Sequence, residues 1–159
     1  TVYGFEVVSL RYFNVFGPRQ DPESEYAAVI PRFITALLQG NAPKIYGDGE
    51  QTRDFTYVGN IVDANIHALN HAEAPGQIFN IAMGSGSSLN SLVKTLHDLT
   101  NVKIDPDYTD ARPGDIRHSY ADVSKALNVL QFKSDISVVD GLRSTIEWYR
   151  SFKANQNPK

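Results

Sequence analysis

The stretch Phe5-Glu6-Val7-Val8-Ser9-Leu10-Arg11-Tyr12-Phe13-Asn14-Val15-Phe16-Gly17-Pro18-Arg19 decides the fold. Residues 5–10 are a short run of β-formers, closed by Arg11-Tyr12-Phe13-Asn14 just ahead of a Gly-Pro break. Such a run reads as a buried strand that ends in an amide-bearing loop. Open α/β sheets bind ligands just beyond the carboxyl ends of their strands, so Asn14 is placed to give an uncharged hydrogen bond to a polar ligand group. No Gly-rich strand-to-helix turn precedes this strand, and a dinucleotide fingerprint, if one belongs to the fold, lies outside the sequence.

Working outward, residues 27–39 place Val29, Ile30, Phe33, Leu37 and Leu38 at helical spacing, with Gly40-Asn41 as the stop. Pro31 sits near the start, where a missing N–H costs little. Lys44-Ile45-Tyr46 reads as a short strand running into the Gly47-Asp48-Gly49 turn, and Phe55-Thr56-Tyr57-Val58 as a second extended piece. Asn60 is expected to cap a helix over 61–71, with Asp63 in the first turn where a carboxylate suits the dipole. After the Pro75-Gly76 break, 77–82 reads as a strand, and the helix that follows carries Leu89, Leu92, Val93, Leu96 and Leu99 on one face. Residues 102–108 read as extended. Asp122 is expected to cap a helix over 123–130, and Ser137 with Asp140 to cap a last one carrying Leu142, Ile146 and Tyr149.

Two loops carry recognisable chemistry. In Gly47-Asp48-Gly49-Glu50-Gln51-Thr52-Arg53-Asp54-Phe55 one guanidinium follows a flexible turn, and its planar fork of donors suits a phosphate. The plainer alternative is a surface Arg53 paired with Asp54 or Glu50. Arg112-Pro113-Gly114-Asp115 supplies a second fork and, three residues on, a carboxylate able to accept two ribose hydroxyl hydrogens; its alternative is a Pro-Gly turn with solvated charges. Gly84-Ser85-Gly86-Ser87-Ser88 lies ahead of a helix but is neither Gly-x-Gly-x-x-Gly nor a P-loop, and reads as a flexible connection ending in a Ser cap. His67 and His71 have metal-like spacing without a third ligand, so no metal site is expected. Trp148 and Tyr149 read as core.

The totals bound the class. A chain of 159 residues supports one domain or part of a larger one. A formal charge of −3 with interspersed signs argues against nucleic acid as partner. The absence of cysteine removes disulfides and thiolate metal sites, and neither a signal peptide nor a long apolar segment is present, so the expectation is a cytoplasmic protein without membrane contact.

Taken together, several segments in order resemble the C-terminal half of the extended short-chain dehydrogenase/reductase family. They are residues 10–22, Tyr26-Ala27-Ala28-Val29-Ile30-Pro31, Gly47-Asp48-Gly49-Glu50 with Arg53-Asp54-Phe55, Asn80-Ile81-Ala82, and Gly114-Asp115-Ile116-Arg117-His118-Ser119. Within that family the chain looks most like UDP-N-acetylglucosamine 4-epimerases, over nearly its whole length. The resemblance implies that the Phe13 backbone lies by the nicotinamide of NAD and that the Asn14 amide binds the sugar nucleotide near its diphosphate. It implies that Ala28 and Val29 contact the nucleotide and that uracil rests against Lys44, Ile45 and Tyr46. Arg53 and Arg112 match the diphosphate-binding arginines, Asp115 the ribose-binding carboxylate, and Ser119 the position flanking the hexose C2 substituent, where a small side chain leaves room for an N-acetyl group.

The family's Gly-x-x-Gly-x-x-Gly turn, its catalytic Ser or Thr and its Tyr-x-x-x-Lys pair are not in the sequence. Residues 1–159 are therefore expected to be an α/β substrate-binding portion with one or two strands of a Rossmann-type sheet, the NAD-binding half being absent, with no catalytic residue and no metal ligand of their own. The parent implied is a homodimeric NAD-dependent 4-epimerase acting on UDP-N-acetylglucosamine and UDP-N-acetylgalactosamine, with UDP-glucose and UDP-galactose as a further pair. There a Tyr phenolate would take the 4-hydroxyl proton while hydride moves to NAD and returns on the opposite face. Two rivals stand beside it: a nucleotide-sugar dehydratase or decarboxylase of the same family, and a non-catalytic nucleotide-sugar-binding module.

Overall fold

In the computed structural model, which describes residues 4–23 and 28–156, short strands alternate with helices. The order is β1 (Ser9–Tyr12), β2 (Val15–Phe16), α1 (Val29–Leu38), β3 (Lys44–Tyr46), β4 (Thr52–Arg53), β5 (Thr56–Tyr57), α2 (Val58–Asn70), β6 (Ile78–Ile81), β7 (Ser87–Ser88), α3 (Leu89–Thr100), β8 (Asp107–Thr109), α4 (Ser124–Leu130) and α5 (Val138–Gln156). The expectations on Tyr26 and Ala27 fall outside the described residues. Strands pair two by two: β1 with β6, β2 with β5 and β3 with β8 in parallel, and β4 with β7 antiparallel. Parallel partners need long crossovers, and α1, α2 and α3 lie within them.

β1 begins four residues later than its sequence suggests and is not buried. A strand forms where it finds a ladder: Ser9 to Tyr12 align with Ile78 to Ile81, and upstream of Ser9 the Val7 carbonyl accepts the Gly76 N–H at 2.8 Å. With β6 as its one neighbour among the described residues, β1 has little cover, and Phe5 and Val7 stand 76% and 61% exposed.

Two apolar clusters hold the rest. In the larger, Ile30, Phe33, Ile34 and Leu37 of α1 meet Leu92, Val93 and Leu96 of α3 and Leu142, Ile146 and Tyr149 of α5. These are the faces the 3.6-residue period marked, and each fully buried side chain contributes about 1.5–3 kcal/mol. The smaller joins Ile61, Ala64 and Ala68 of α2 to Phe79 and Ile81 of β6 and Ala126 and Leu130 of α4.

Two expected caps are present: the Ser88 hydroxyl accepts the Ser91 N–H at 3.1 Å, and the Ser137 hydroxyl accepts the Asp140 N–H at 3.1 Å. α4 starts at Ser124, one residue later than expected, with Val123 at its N-cap position, so Asp122 lies outside the cap and its carboxylate accepts the Ser124 N–H at 2.9 Å in a local turn. Asn60 is not a cap. α2 starts two residues earlier, at Val58, so Asn60 lies inside its first turn, fully buried, and Asp63 falls beyond that turn. The Asn60 carboxamide instead donates to the Ile136 carbonyl at 2.8 Å and accepts its N–H at 3.0 Å, tying α2 to the segment before α5.

The turn after β3 is fixed from α3. Asn90 donates its side-chain amide to the Asp48 carbonyl at 3.0 Å and its backbone N–H to the Gly49 carbonyl at 3.1 Å. Gly49 has φ +77°, and a Cβ there would lie 2.1 Å from Asn90 Oδ1, so glycine is required both by conformation and by space.

Candidate functional site

A cavity of about 630 Å³ is walled by the start of α1, by β3, by β4 and the turn ahead of it, and by the loop after β8. Asn14, Ala28, Val29, Lys44, Tyr46, Arg53, Arg112 and Asp115 all line it. Thus eight sequence candidates spread over 102 positions converge on one space. Three do not line it. Successive side chains of a strand face opposite ways, so Lys44 and Tyr46 look into the cavity while Ile45 is fully buried in the larger core. Phe13 is half-buried outside the lining, and so is Ser119, whose N–H donates to the Thr52 carbonyl at 3.2 Å.

The two charged loops meet through backbone pairing. Thr52 donates its N–H to the Arg117 carbonyl at 2.9 Å and accepts that of Ser119, which lays residues 115–119 alongside β4. Arg112-Pro113-Gly114-Asp115 closes a turn in which the Asp115 N–H donates to the Arg112 carbonyl at 3.2 Å, with Pro at the second position and Gly at the third at φ +81°. This is type II chemistry, and it puts both charged side chains at one mouth of the turn. Arg53 then forms an ion pair with Asp115, not with Asp54 or Glu50 as the plain surface reading had it.

Arg112 lies with its guanidinium carbon 3.9 Å from the Tyr46 ring centroid, and the Lys44 ammonium is 5.4 Å from the same ring. The Arg112 guanidinium first, and Lys44 next, hold the Tyr46 phenol below the usual tyrosine range. Among the described residues, Arg32, Lys44, Arg53 and Arg112 line the cavity against the single carboxylate of Asp115, in a chain whose net charge is −3. A concave cationic patch on an acidic protein selects anions. Asn14, at the lip between β1 and β2, has φ 36°, in the left-handed region that Asn tolerates better than most residues. Its carbonyl accepts the Thr56 N–H at 3.3 Å, which holds this conformation.

Sequence reasoning missed several wall residues. Arg32, Phe33 and Ala36 continue the α1 face begun by Val29, and the i, i+3, i+4, i+7 period could have found them. Gln51 carried no signal; it is buried and donates to the Tyr46 carbonyl at 2.6 Å, fixing the end of β3. Asp54, between the wall residues Arg53 and Phe55, is fully buried and accepts N–H groups from Met83 at 2.9 Å, Gly84 at 3.0 Å and Ala121 at 3.2 Å. The segment 84–88 is more ordered than the flexible connection expected of it: Ser87 and Ser88 pair with Arg53 and Thr52, and a Cβ on Gly86 would sit 3.2 Å from Thr52 Oγ1. Among the described residues no group of three or more potential metal ligands occurs, and His67 packs its ring on Phe132.

Residues 1–82, which hold Asn14, α1, β3 and Arg53, match the NAD dependent epimerase/dehydratase family. The chain belongs to that family. It is 38% identical over 150 residues to a putative UDP-glucose 4-epimerase of Methanocaldococcus jannaschii, covering 94% of this chain and 48% of the relative. It is 37% identical to a UDP-N-acetyl-alpha-D-glucosaminuronate decarboxylase of Bacillus cytotoxicus, with the same two coverages, 94% and 48%. Among solved structures, the UDP-N-acetylglucosamine 4-epimerase of Methanobrevibacter ruminantium in complex with UDP-N-acetylmuramic acid superposes with a TM-score of 0.88 at 48% identity, over 94% of this chain and 48% of that one. The family member described here thus spans about half the length of the curated relatives it matches. Its α/β fold is that of extended short-chain dehydrogenase/reductase epimerases over that share, as the sequence resemblance implied.

The family's cofactor is NAD, and the described residues do not by themselves form a dinucleotide cradle. The glycines of 84–86 are packed against Val123 and Thr52 instead of opening a helix toward a phosphate. No hydride step is therefore placed on these side chains. Among the described residues no helix is long and apolar enough to cross a membrane.

Proposed function

We propose that the cavity binds the nucleoside diphosphate part of a UDP-sugar, and that residues 1–159 are the substrate-binding portion of an NAD-dependent UDP-sugar 4-epimerase. The observation that carries this reading is the convergence of Tyr46, Arg53 and the Arg112–Asp115 turn, three segments of the chain, on one cationic cavity. In it Arg53 and Arg112 grip the diphosphate, Asp115 accepts the ribose hydroxyls, and Asn14 bonds the ligand near the diphosphate. Uracil rests on β3 between Lys44 and Tyr46, with Ile45 contributing backbone only, and Ala28 and Val29 close the nucleotide from α1. The Phe13 backbone lies by the nicotinamide of NAD. Titration calorimetry with UDP tests the reading: micromolar or tighter binding supports it, and no heat at millimolar UDP overturns it.

The similarity to a decarboxylase supports the sister reading, in which the same nucleotide grip serves another reaction of the family. Product analysis with UDP-hexoses and UDP-uronic acids separates the two. Because no dinucleotide cradle is built from these residues, the 159-residue chain is expected neither to bind NAD nor to turn over UDP-sugars by itself. Fluorescence titration with NADH and a coupled epimerase assay check this, and measurable turnover would refute it.

Substrate choice rests on Ser119. Ser119 lies outside the lining of the nucleotide cavity, and in this reading it stands at the hexose end of the ligand, where its small side chain leaves the space beside the hexose C2 open; this favours N-acetylated sugars, and the 48% identity to an N-acetylglucosamine epimerase supports the same preference. Ser119→Tyr in the complete enzyme should cut kcat/KM for UDP-N-acetylglucosamine far more than for UDP-glucose, since an overfilled pocket penalises the larger ligand. Equal loss on both substrates would show that Ser119 does not gate the pocket.

A further inference from the structure

We propose that Asp115 is a positioning residue for Arg53, so that the ribose and diphosphate parts of the ligand are recognised through one shared carboxylate. The inference rests on the nucleotide-sugar reading above and goes beyond it, because that reading gives Asp115 to the ribose alone.

Arg53 has five N–H donors to account for. Nη1 donates to the Thr52 carbonyl at 2.8 Å and the Ile116 carbonyl at 2.6 Å, and Nη2 donates to the Asp115 carboxylate. That leaves Nε–H and one hydrogen of Nη2 to donate to an oxyanion. Two carbonyls hold one end of the plane, and the carboxylate sets its rotation about that end. Arg53 is 17% exposed and Asp115 36%, so the pair sits at the cavity wall with one face open to a ligand. Asp115 uses Oδ1 on Arg53, and Oδ2 remains for a ribose hydroxyl. The backbone N–H of Asp115 also closes the turn that begins at Arg112, which places the second phosphate grip on the same piece of chain.

The sign of one measurement separates positioning from simple charge. A carboxylate beside an anion site repels the anion, so on charge alone its removal strengthens anion binding. A positioning role predicts the reverse for alanine, and retention for asparagine, which keeps an oxygen acceptor for Nη2.

Inorganic pyrophosphate, which has no ribose, is titrated calorimetrically into the wild-type protein and into Asp115→Ala and Asp115→Asn. Asp115→Ala should weaken pyrophosphate about 5- to 10-fold, while Asp115→Asn stays within about twofold of wild type, the scale of one charge-assisted bond poorly aimed. In an Arg53→Lys background, which lacks the fork, the alanine substitution should have no such effect. The inference is overturned if Asp115→Ala binds pyrophosphate as tightly as wild type or more tightly, or if the two variants behave alike. Wild-type binding of UDP keeps the nucleotide reading standing in those cases, whereas a wild type that binds neither ligand removes both.

Discussion

Asp54→Ala is expected to lower stability by about 3 kcal/mol, because one buried and two half-buried N–H groups lose a shared charged acceptor at about 1–3 kcal/mol each, partly offset by no longer burying a carboxylate. The three donors, on Met83, Gly84 and Ala121, come from two separate segments of the chain, which this one carboxylate joins to the loop between β4 and β5. For a domain of this size such a loss lowers Tm by about 6–12 °C. Thermal unfolding followed by circular dichroism reads it directly. Asp54→Asn keeps one acceptor oxygen and should fall between wild type and alanine. A change under 1 kcal/mol for the alanine variant would show that the three N–H groups find other partners.

The second large effect concerns affinity. Arg53→Ala and Arg112→Ala should each weaken UDP binding by about 2 kcal/mol, roughly 30-fold, if the diphosphate is desolvated in the cavity. Arg53 should carry the larger share, since it is the more buried of the two and its plane is already fixed, whereas Arg112 must leave the Tyr46 ring or carry it along. Affinity for UDP unchanged in both variants would sink the assignment of the cavity. The two losses should not add, because both side chains would hold the same group.

Much of this site was legible in the sequence because its residue types are dictated by local chemistry. Pro113-Gly114 between Arg112 and Asp115 announces a turn whose ends come together, and Gly47-Asp48-Gly49 announces the break after β3. The helix faces were legible for the same reason, periodic apolar residues having one way to be buried. What failed to show depends on partners far along the chain. Asp54 looks like any loop carboxylate until Met83, Gly84 and Ala121 are brought to it. Asn60 carries the right side chain for a cap, but Ile136 competes for it with two backbone hydrogen bonds, and the helix starts earlier. Phe5 and Val7 read as a strand by composition, yet a ladder needs a second strand, and β6 begins pairing only at Ser9.

The pairing of Thr52 with His118, and of Arg53 with Asp115, joins points 66 and 62 residues apart in sequence. Closing a loop of that length costs an entropy that grows only with the logarithm of its length. Adding about ten residues to the surface connections between them would raise that cost by only about 0.1 kcal/mol. Intervening length is thus nearly free for this protein, whereas the register of the short ladder at Thr52 is not: a slip of one residue there would turn Arg53 away from the cavity and leave both of its loops intact.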